Sequence, residues 1–505
     1  MRSGLRHPNR SGYRYSVTVV RNKNWLKSSP NKRDNAHSLK ECVRVAKSQI
    51  PLGYSDRTVC ILGLGFVGLT LAAVMAEVGF HIIGVEIRKD VLAKIGAGLA
   101  HFYEPGLTDA LRRAVKNGRL EVHDTIPSDC GATAYIITVG TPLGAEGRVN
   151  LDSVTRIAHQ IAERMNDDDI IVLRSTVKIG TTESLIRPIL AKSGKRFQIA
   201  FCPERTIEGQ ALAELRYLPQ IIGAADHDTV TRAAQLFNFI TPTVVRVSNA
   251  ETAELIKLID NGRRDLMFGY ANEVARICDT IGVSAAEVIR SGRFGYTRTD
   301  LPMPGPVGGP CLSKDPYILA ESLEQFGISP EITISARRVN ERQPLEIADY
   351  LKTQLAEFHF TTGPRIALLG IAFKGRPATD DIRGTMAIPI REALSKAFPN
   401  ASIVAHDPVV DAETLRSLDL LPIDCLEDAF VGANIVFILN NHPDYAAIPI
   451  ETITTLMARP SIVYDCWNNF TDQPIQLPAG VRYAAIGSHR NPIIGSEQGS
   501  KRADQ

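Results

Sequence analysis

Short apolar runs alternate with amphipathic segments in the first half of the chain. Helical periodicity fills several intervals between the runs, for example 151–164. The runs themselves lie at 58–62, 82–86, 134–139, 170–174, 198–202 and 220–223. Strands that alternate with helices form parallel sheets with helices on both faces. The pattern predicts a doubly wound α/β domain whose ligand binds at the carboxyl ends of the strands.

A second region of the same kind follows residue 364, with apolar runs at 365–370, 402–406, 434–439 and 461–465. Between the two regions, apolar residues recur with helical spacing from 251 to about 281. We therefore predict an α/β protein with two Rossmann-like, doubly wound parallel-sheet domains, joined by a central long helix or helical domain. The long helix suits a domain connector or a dimer face.

Composition divides the chain further. Residues 1–50 carry twelve Lys and Arg against two Asp and Glu, although the whole chain has a net charge of +2. This basic stretch fits a disordered tail, a start placed upstream of the native one, or an organellar transit peptide; we favour the first two. The predicted units are a basic, disordered extension (1–55), the first domain (56–250), a central helical domain (251–345), the second domain (346–490) and a disordered tail (491–505).

Several classes of protein are excluded by composition. No run of eighteen apolar residues exists, so we expect no membrane span. Eight cysteines are scattered without C-x-x-C pairs, which argues against a disulfide framework and a zinc site. We expect reduced thiols in the cytoplasm, no metal and no nucleic-acid partner.

A glycine-rich turn follows the first predicted strand and reads Gly63, Leu64, Gly65, Phe66, Val67, Gly68. Gly63 permits the tight turn, Gly65 lets the backbone approach a pyrophosphate, and Gly68 lets helix and strand pack closely. The next strand ends at Glu86, whose carboxylate suits a ribose diol and repels a 2′-phosphate. The combination predicts an NAD site, with Phe66 and Val67 in its turn.

Three polar clusters follow later strands, at 140–142, 175–177 and 202–209. The carboxyl ends of parallel strands meet at one edge of the sheet, so we expect these clusters to form the rim of the ligand site. Thr141 and Thr176 then lie beside the cofactor.

A glycine- and proline-rich loop carries Cys311, ahead of a segment with helical periodicity. A helix N-terminus and Lys314 both favour a thiolate, and Asp315 lies four residues on. Cys311 is therefore a candidate nucleophile, although a buried structural cysteine is the commoner role for such a residue.

Two further pairs of polar residues are candidates for the site. Lys257 and Asn261 lie one helical turn apart and share a face, as part of a site or as a snorkelling lysine at the surface. The second domain lacks a GxGxxG turn, and there Lys374 and Arg383 are candidate phosphate ligands or ordinary surface charges.

Together these motifs resemble the nucleotide-sugar 6-dehydrogenase family, over about residues 58–486. The matching segments begin at 63 (Gly-Leu-Gly-Phe-Val-Gly), 175 (Ser-Thr-Val), 203 (Pro-Glu-Arg), 253 (Ala-Glu-Leu-Ile-Lys-Leu-x-x-Asn), 304 (Pro-Gly-Pro-Val-Gly-Gly-Pro-Cys-Leu-x-Lys-Asp-Pro-Tyr) and 373 (Phe-Lys-x-x-x-x-Thr-Asp-Asp-Ile-Arg). The resemblance implies an NAD domain, a dimer-forming centre and a nucleotide-sugar domain, in a homodimer or higher homo-oligomer.

The resemblance also implies a four-electron oxidation at C6 of a UDP-sugar. Cys311 would hold the aldehyde as a thiohemiacetal and then as a thioester. Lys257 and Asn261 would stabilise oxyanions, while Asp315 and Thr176 would order or deprotonate water.

The remaining implied site residues face the substrate. Glu208, and with it Glu204 as the weaker candidate, would serve proton transfer or line the site. Lys374, with Arg383, would meet the UDP phosphates. Gly308 and Gly309 belong to the substrate loop. Arg298 is the better candidate for the arginine that contacts the sugar, and Arg293 the weaker.

The Pro-Glu-Arg segment and the turn from His442 to Tyr445 resemble the UDP-N-acetylhexosamine branch, with the manno sugar favoured. The alternatives are a UDP-glucose enzyme, an NAD dehydrogenase that makes one hydride transfer, and a catalytically silent NAD-binding scaffold.

Overall fold

The computed structural model describes residues 49–356, 358, 363–470, 475–490 and 493–495. Most of the predicted N-terminal extension and of the predicted C-terminal tail lies outside these residues. Two exceptions correct the predicted bounds. Ile50 is buried in the core of the first domain, and Ile493–Ile494 form a strand on the second sheet.

The first domain contains an eight-stranded sheet in the order β3-β2-β1-β4-β5-β6-β7-β8. Its strands are β1 (Thr58–Leu62), β2 (His81–Val85), β3 (Leu120–His123), β4 (Ala134–Ile137), β5 (Asp169–Leu173), β6 (Phe197–Phe201), β7 (Gln220–Ala224) and β8 (Val244–Val247). The helices that cover it are α1 (Phe66–Val78), α2 (Lys89–Gly96), α3 (Leu107–Lys116), α4 (Asp152–Arg164), α5 (Arg187–Ala191), α6 (Ala211–Glu214) and α7 (His227–Asn238), with a π-helix at Thr182–Ile186.

Two strands of this sheet, β7 and β8, differ from the predicted parallel arrangement: they are parallel to each other and run opposite to β1–β6. β7 runs antiparallel to β6. The connection between them has no crossover helix long enough to span the sheet, since it contains only the four-residue α6. The chain therefore enters β7 at the same end of the sheet at which it leaves β6, and residues 202–219 stay at the carboxyl end of β6.

The central region consists of α8 (Ala250–Ile281), α9 (Ala285–Arg293), α10 (Gly309–Leu312), α11 (Asp315–Glu324) and α12 (Glu331–Gln354). α8 has 32 residues, and the side chain of Asn249 caps it by accepting a hydrogen bond from the amide of Thr252. A Cβ at Gly269 would lie 2.8 Å from that of Ala336, so α8 and α12 cross in close contact there.

The second sheet has seven strands in the order β11-β10-β9-β12-β13-β14-β15. They are β9 (Arg365–Leu369), β10 (Ser402–His406), β11 (Leu421–Pro422), β12 (Ile435–Ile438), β13 (Ser461–Asp465), β14 (Val481–Ala485) and β15 (Ile493–Ile494), the last antiparallel to β14. Its helices are α13 (Ala387–Ala397), α14 (Ala412–Ser417), α15 (Leu426–Phe430), α16 (Pro443–Ala446) and α17 (Ile450–Ile453), followed by a 3₁₀ turn at Thr454–Leu456. Within the described ranges, no helix is long and apolar enough to cross a membrane.

Candidate active site

A cleft of about 720 Å³ lies where the first domain, α8, the cysteine loop and the second domain meet. Its lining includes the glycine turn after β1 and the polar segments after β4, β5 and β6. The carboxyl edge of the first sheet therefore faces the cleft, as the strand pattern predicts. The segment 373–383 of the second domain forms the opposite wall.

The glycine turn has the shape that a dinucleotide needs. Gly63 has a φ of +94°, and a Cβ there would lie 2.9 Å from a side-chain atom of Val139. A Cβ on Gly68 would lie 1.9 Å from the carbonyl oxygen of Gly63, so helix and turn pack without room for a side chain. At Gly65 a Cβ would meet nothing within 4 Å, and this glycine borders the cleft. A pyrophosphate fits between this turn and the N-terminus of α1.

Glu86 and the aromatic residue of the turn also reach the cleft. Glu86 accepts hydrogen bonds from the amides of Leu64 and Arg88, both at 3.1 Å, which hold its carboxylate beside the turn. Phe66 stacks on Phe102 with ring centroids 4.0 Å apart, and Val67 lines the same cavity.

The segments after β4 and β5 are tied to each other. The hydroxyl of Thr141 donates to the carbonyl oxygen of Thr176 at 2.6 Å, and Ser175 donates to the carbonyl oxygen of Val139 at 2.7 Å. All four residues line the cleft. The two predicted cofactor threonines are thus neighbours.

Cys311 opens into the cleft, but its surroundings differ from those predicted. It is the third residue of the four-residue α10, and the ten-residue α11 begins four residues after it. Solvent reaches the thiol through the cleft, while protein atoms surround it on the other sides. Desolvation raises the pKa of the Cys311 thiol, and the carboxylate of Asp315 adds to that; Lys257 and Lys314 lower it by less. This direction is opposite to the one that the sequence predicts.

The polar residues predicted around the thiol do converge on it. Asp315 is fully buried at the start of α11, and it accepts hydrogen bonds from Asn261 at 2.5 Å and from Lys314 at 2.7 Å. Lys257, one turn before Asn261 on α8, is 9% exposed and lines the cleft. Among the described residues its ammonium has no hydrogen-bond partner, so its donors are available to a bound molecule.

Glu204 borders the cleft in a different role from the predicted substrate contact. One carboxylate oxygen accepts from the buried guanidinium of Arg174, at 2.6 and 3.2 Å. The other accepts from the amides of Arg205 and Thr206 at 2.7 and 2.9 Å. Burial raises the pKa of Glu204, but Arg174 and these amides together lower it by more. The net shift of the pKa is therefore downward. Glu204 is an ionised anchor for the loop after β6.

Glu208 meets the second domain in the same cleft. Burial and the neighbouring carboxylate of Asp381 raise its pKa to about 8, against the opposing charges of Arg383 and Lys374. Arg383 donates to Asp381 at 2.7 Å and to Glu208 at 3.2 Å, and its guanidinium lies 4.8 Å from the ring centroid of Phe66. A carboxyl group that is half protonated near pH 8 can exchange a proton with a bound molecule.

Lys374 reaches across to the first domain. Its ammonium donates to the carbonyl oxygen of Glu208 at 2.6 Å. Desolvation lowers the pKa of Lys374 to about 8. The two predicted phosphate ligands, Lys374 and Arg383, thus lie in the cleft instead of on an open surface.

The glycines of the cysteine loop are packing residues. A Cβ on Gly308 would lie 2.3 Å from the carbonyl oxygen of Gly384, and one on Gly309 would lie 2.4 Å from the ring of Phe373. The Gly309 amide donates to that same Gly384 carbonyl at 2.7 Å. These contacts dock the loop on the second domain, and Gly308 also borders the cleft.

Two predicted substrate features lie away from the cleft of this chain. Arg298 is exposed, with its guanidinium 5.2 Å from the ring centroid of Tyr296, and Arg293 donates to the carbonyl oxygen of Leu301 instead. His442 caps α16, and Tyr445 is buried against His406. The 442–445 turn is therefore structural in this chain, although its neighbour Asn441 lines the cleft.

The cleft also contains residues that the sequence analysis missed, among them Arg264, Phe268, Arg376, Asn441 and Trp467. Arg264 and Phe268 were detectable, since they lie seven and eleven residues after Lys257 on the same helix and thus on the same face. Arg376, Asn441 and Trp467 come from segments that only the tertiary fold brings to the site.

Comparison with known proteins agrees with this geometry. Models of the UDP-glucose/GDP-mannose dehydrogenase family match the chain in order: the NAD binding domain at residues 57–241, the central domain at 251–342 and the UDP binding domain at 367–472.

The UDP-N-acetyl-D-mannosamine dehydrogenase of Pyrococcus horikoshii is 32% identical over 424 residues, which cover 83% of this chain and 97% of the relative. The enzyme of the same name from Escherichia coli K12 is 30% identical over 412 residues, covering 78% and 96%. The solved structure of a P. horikoshii UDP-D-ManNAc dehydrogenase superposes with a TM-score of 0.76 at 31% identity, covering 86% of this chain and all of that one. A UDP-glucose dehydrogenase from Pyrobaculum islandicum gives 0.76 at 25% identity, covering 87% and 99%. The chain therefore belongs to the UDP-glucose/GDP-mannose dehydrogenase family, and it is an NAD-dependent dehydrogenase, as its motifs predict.

Proposed function

We propose that this enzyme oxidises the C6 hydroxyl of a UDP-sugar to a carboxylate in two hydride transfers, with Cys311 as the nucleophile that retains the intermediate. The observation that carries the proposal is that Cys311 opens into the same cleft as the dinucleotide turn and the cations of the second domain. When bound at the turn, NAD would supply the hydride acceptor for each step. The thiol adds to the aldehyde, the resulting thiohemiacetal becomes a thioester, and one water releases the acid.

The side chains around the thiol can support these steps. Lys257 and Asn261 both line the cleft. The ammonium of Lys257 and the side-chain amide of Asn261 can stabilise a substrate oxygen that gains negative charge. Asp315 is fully buried, does not line the cleft and binds Asn261 and Lys314, which do line it, so Asp315 would act on the reacting water through these two residues. Thr176 lies beside the cofactor turn and can order the same water.

The opposite wall suits the nucleotide part of the substrate. Lys374 and Arg383 provide two cations for a diphosphate. The raised pKa of Glu208 makes this carboxyl group a candidate for proton transfer. Glu204 acts through the loop that it anchors.

A test of the reaction counts NADH per acid formed. Two hydride transfers reduce two NAD to NADH and consume one water for each uronic acid, whereas a dehydrogenase with a single transfer yields one NADH and an aldehyde. A scaffold without activity yields none. Reduction of two NAD for each UDP-sugar consumed is the expected result; a ratio of one would contradict the thioester step.

For the sugar we propose a UDP-N-acetylhexosamine, with UDP-N-acetylmannosamine favoured. The relatives of at least 30% identity described above carry that sugar in their names. Arg205 and Thr206 of the Pro-Glu-Arg loop line the cleft and offer polar groups to an acetamido substituent. The structural likeness to a UDP-glucose dehydrogenase keeps UDP-glucose as the second candidate. We expect kcat/KM to be highest for UDP-ManNAc in a panel with UDP-GlcNAc, UDP-GalNAc and UDP-glucose; a tenfold lead for UDP-glucose would reverse the assignment.

We also propose a homodimer or higher oligomer that works in the cytoplasm. Large apolar side chains are exposed along the central helices, including Ile259, Tyr270, Ile277 and Ile332, and a second copy could cover them. Such a copy could bring Arg298 to the neighbouring cleft. A dimer mass by light scattering is expected. A monomer at micromolar concentration would contradict the oligomer.

A further inference from the structure

The loop that carries Cys311 is held from beneath by buried polar side chains. Asn272 of α8 grips the start of the loop at Gly305: its side chain accepts from the Gly305 amide at 2.9 Å and donates to the Gly305 carbonyl at 3.1 Å. Both polar backbone groups of one loop residue are therefore satisfied by one side chain.

Arg337 of α12 holds the loop on both sides of the thiol. Its guanidinium donates to the carbonyl oxygen of Val307 at 3.1 Å and to that of Leu312 at 3.1 Å. It also donates to the carboxylate of Asp265 at 2.8 Å. Val307 precedes Cys311 in the sequence and Leu312 follows it. Because the guanidinium binds both carbonyl oxygens, it fixes the distance between the two ends of the segment that carries the thiol.

Asn340 joins these grips into one network. It donates to the Asp265 carboxylate at 2.9 Å and accepts from Asn272 at 2.8 Å. The four side chains, Asn272, Asn340, Asp265 and Arg337, are at most 1% exposed, and none of them lines the cleft. They cannot touch a substrate, so any effect on the reaction is transmitted through the loop.

Stability alone does not account for such a network. A buried ion pair costs desolvation, and well-packed apolar side chains in its place are often as stable or more so. A guanidinium, however, has a rigid fork of donors that can fix several acceptors at set distances. The loop carbonyls at Val307 and Leu312 receive that fork.

We propose that Asn272, Asn340, Asp265 and Arg337, here named the loop network, form the positioning device that sets the place and direction of the Cys311 thiol. This inference rests on the proposed function, in which Cys311 is the nucleophile. The loop network acts on the reaction by geometry: it presents the thiol to the cleft and takes no part in binding NAD.

The test uses Arg337→Lys in the full-length protein. Lysine keeps the charge beside Asp265 but cannot hold three acceptors in one plane. We expect kcat to fall about tenfold or more, which corresponds to ~1.4 kcal/mol of transition-state stabilisation. The KM for NAD should stay within twofold. Alkylation of Cys311 by iodoacetamide, followed peptide by peptide by mass spectrometry, should become several-fold faster as the loop relaxes.

Arg232→Lys is the matched control. Arg232 pairs with Asp56 through hydrogen bonds of 2.9 and 2.6 Å, away from the cleft, at the opposite edge of the first sheet. The same change of residue there should lower the melting temperature while kcat and Cys311 alkylation stay at wild-type values. Asn272→Ala, which removes no charge, should repeat the Arg337→Lys result and carries the test if that variant does not fold.

The outcomes separate the loop network from the proposed function. Wild-type kcat and alkylation in folded Arg337→Lys or Asn272→Ala would overturn the inference. An equal loss of kcat in Arg232→Lys would also overturn it, because general destabilisation would then explain the effect. Uronic acid formation by Cys311→Ser would refute the proposed function, whatever the alkylation rates.

Discussion

The two sheets of this enzyme begin with nearly the same turn and use it differently. Gly63 after β1 and Gly370 after β9 have φ angles of +94° and +93°. A Cβ on Gly63 would lie 2.9 Å from a side-chain atom of Val139, and a Cβ on Gly370 would lie 2.5 Å from a side-chain atom of Asn440. Each of these neighbours follows another strand of the same sheet.

The difference lies in what comes after the turn. In the first domain α1 begins at Phe66, and Gly65 leaves open space for a diphosphate at the N-terminus of that helix. In the second domain the carboxylate of Asp407 accepts the amides of Ile371 and Ala372, at 2.7 and 3.0 Å. The next helix starts only at Ala387.

The intervening segment of the second domain supplies Lys374 and Arg383 to the cleft instead. Under the proposed function, one Rossmann-like frame would recognise an anion through backbone amides and a helix end, and the other through side-chain cations. The comparison explains why a GxGxxG turn occurs in the first half alone.

The largest expected effect comes from removing a cation of the second domain. Lys374→Met should raise the KM for the UDP-sugar about tenfold to a hundredfold, because a charge-assisted hydrogen bond contributes roughly 1.5–3 kcal/mol. The KM for NAD should stay unchanged, and Lys374→Arg should recover much of the loss. Steady-state kinetics with each substrate varied in turn would check this. A shift in the KM for NAD alone would break the comparison.

The reciprocal change belongs in the first domain. Gly65→Ala should weaken the binding of NAD about tenfold, or ~1.4 kcal/mol in binding free energy, because the added methyl group occupies the space of the diphosphate. The melting temperature should stay constant, since that methyl group meets no protein atom within 4 Å. Gly68→Ala is the matched control: its methyl group meets a backbone oxygen at 1.9 Å and should destabilise the fold by about 1–3 kcal/mol. Titration of NAD binding beside thermal melts would separate the two effects.

Glu86→Ala should weaken NAD and narrow its preference over NADP. The carboxylate held beside the turn suits a ribose diol and repels a 2′-phosphate. The measurement is the ratio of kcat/KM for the two cofactors. An unchanged ratio would remove Glu86 from cofactor selection.

A further effect concerns pH. Glu208 has a pKa raised from 4.5 to about 8, so the stability that its protonated form contributes is present below about pH 4.5 and is lost as the pH rises to about 8. Glu208→Gln keeps the shape and removes this loss. The melting temperature of the variant relative to wild type should therefore rise between pH 5 and pH 8. A constant difference would show that Glu208 is not held protonated in the folded enzyme.

Much of the fold followed from the sequence because its strands are buried on both faces and read as continuous apolar runs. Five strands were missed. β3, β8, β11 and β15 are edge strands that are very short or mix polar with apolar residues, and β14 lies next to the edge strand β15. The reversed direction of β7 depends on a long connection without a crossover helix, and no local pattern encodes that.

The site divides in the same way. Lys257 and Asn261 share one face of α8 because helix spacing fixes them, whereas Asp315 lies on α11 and reaches Asn261 only through the tertiary fold. Glu204 binds Arg174, a partner thirty residues away in the sequence, and local patterns do not predict such a contact. The raised pKa of Cys311 depends on burial by the tertiary fold, which hydrophobic periodicity does not predict either.

The covalent role of Cys311 is the central claim, and Cys311→Ser tests it most directly. Serine keeps the size of the side chain, but its hydroxyl ionises far less readily than a thiol. With NAD and the best UDP-sugar of the panel, the account predicts wild-type binding of both ligands and no uronic acid. Uronic acid formed by Cys311→Ser at the wild-type rate would contradict it.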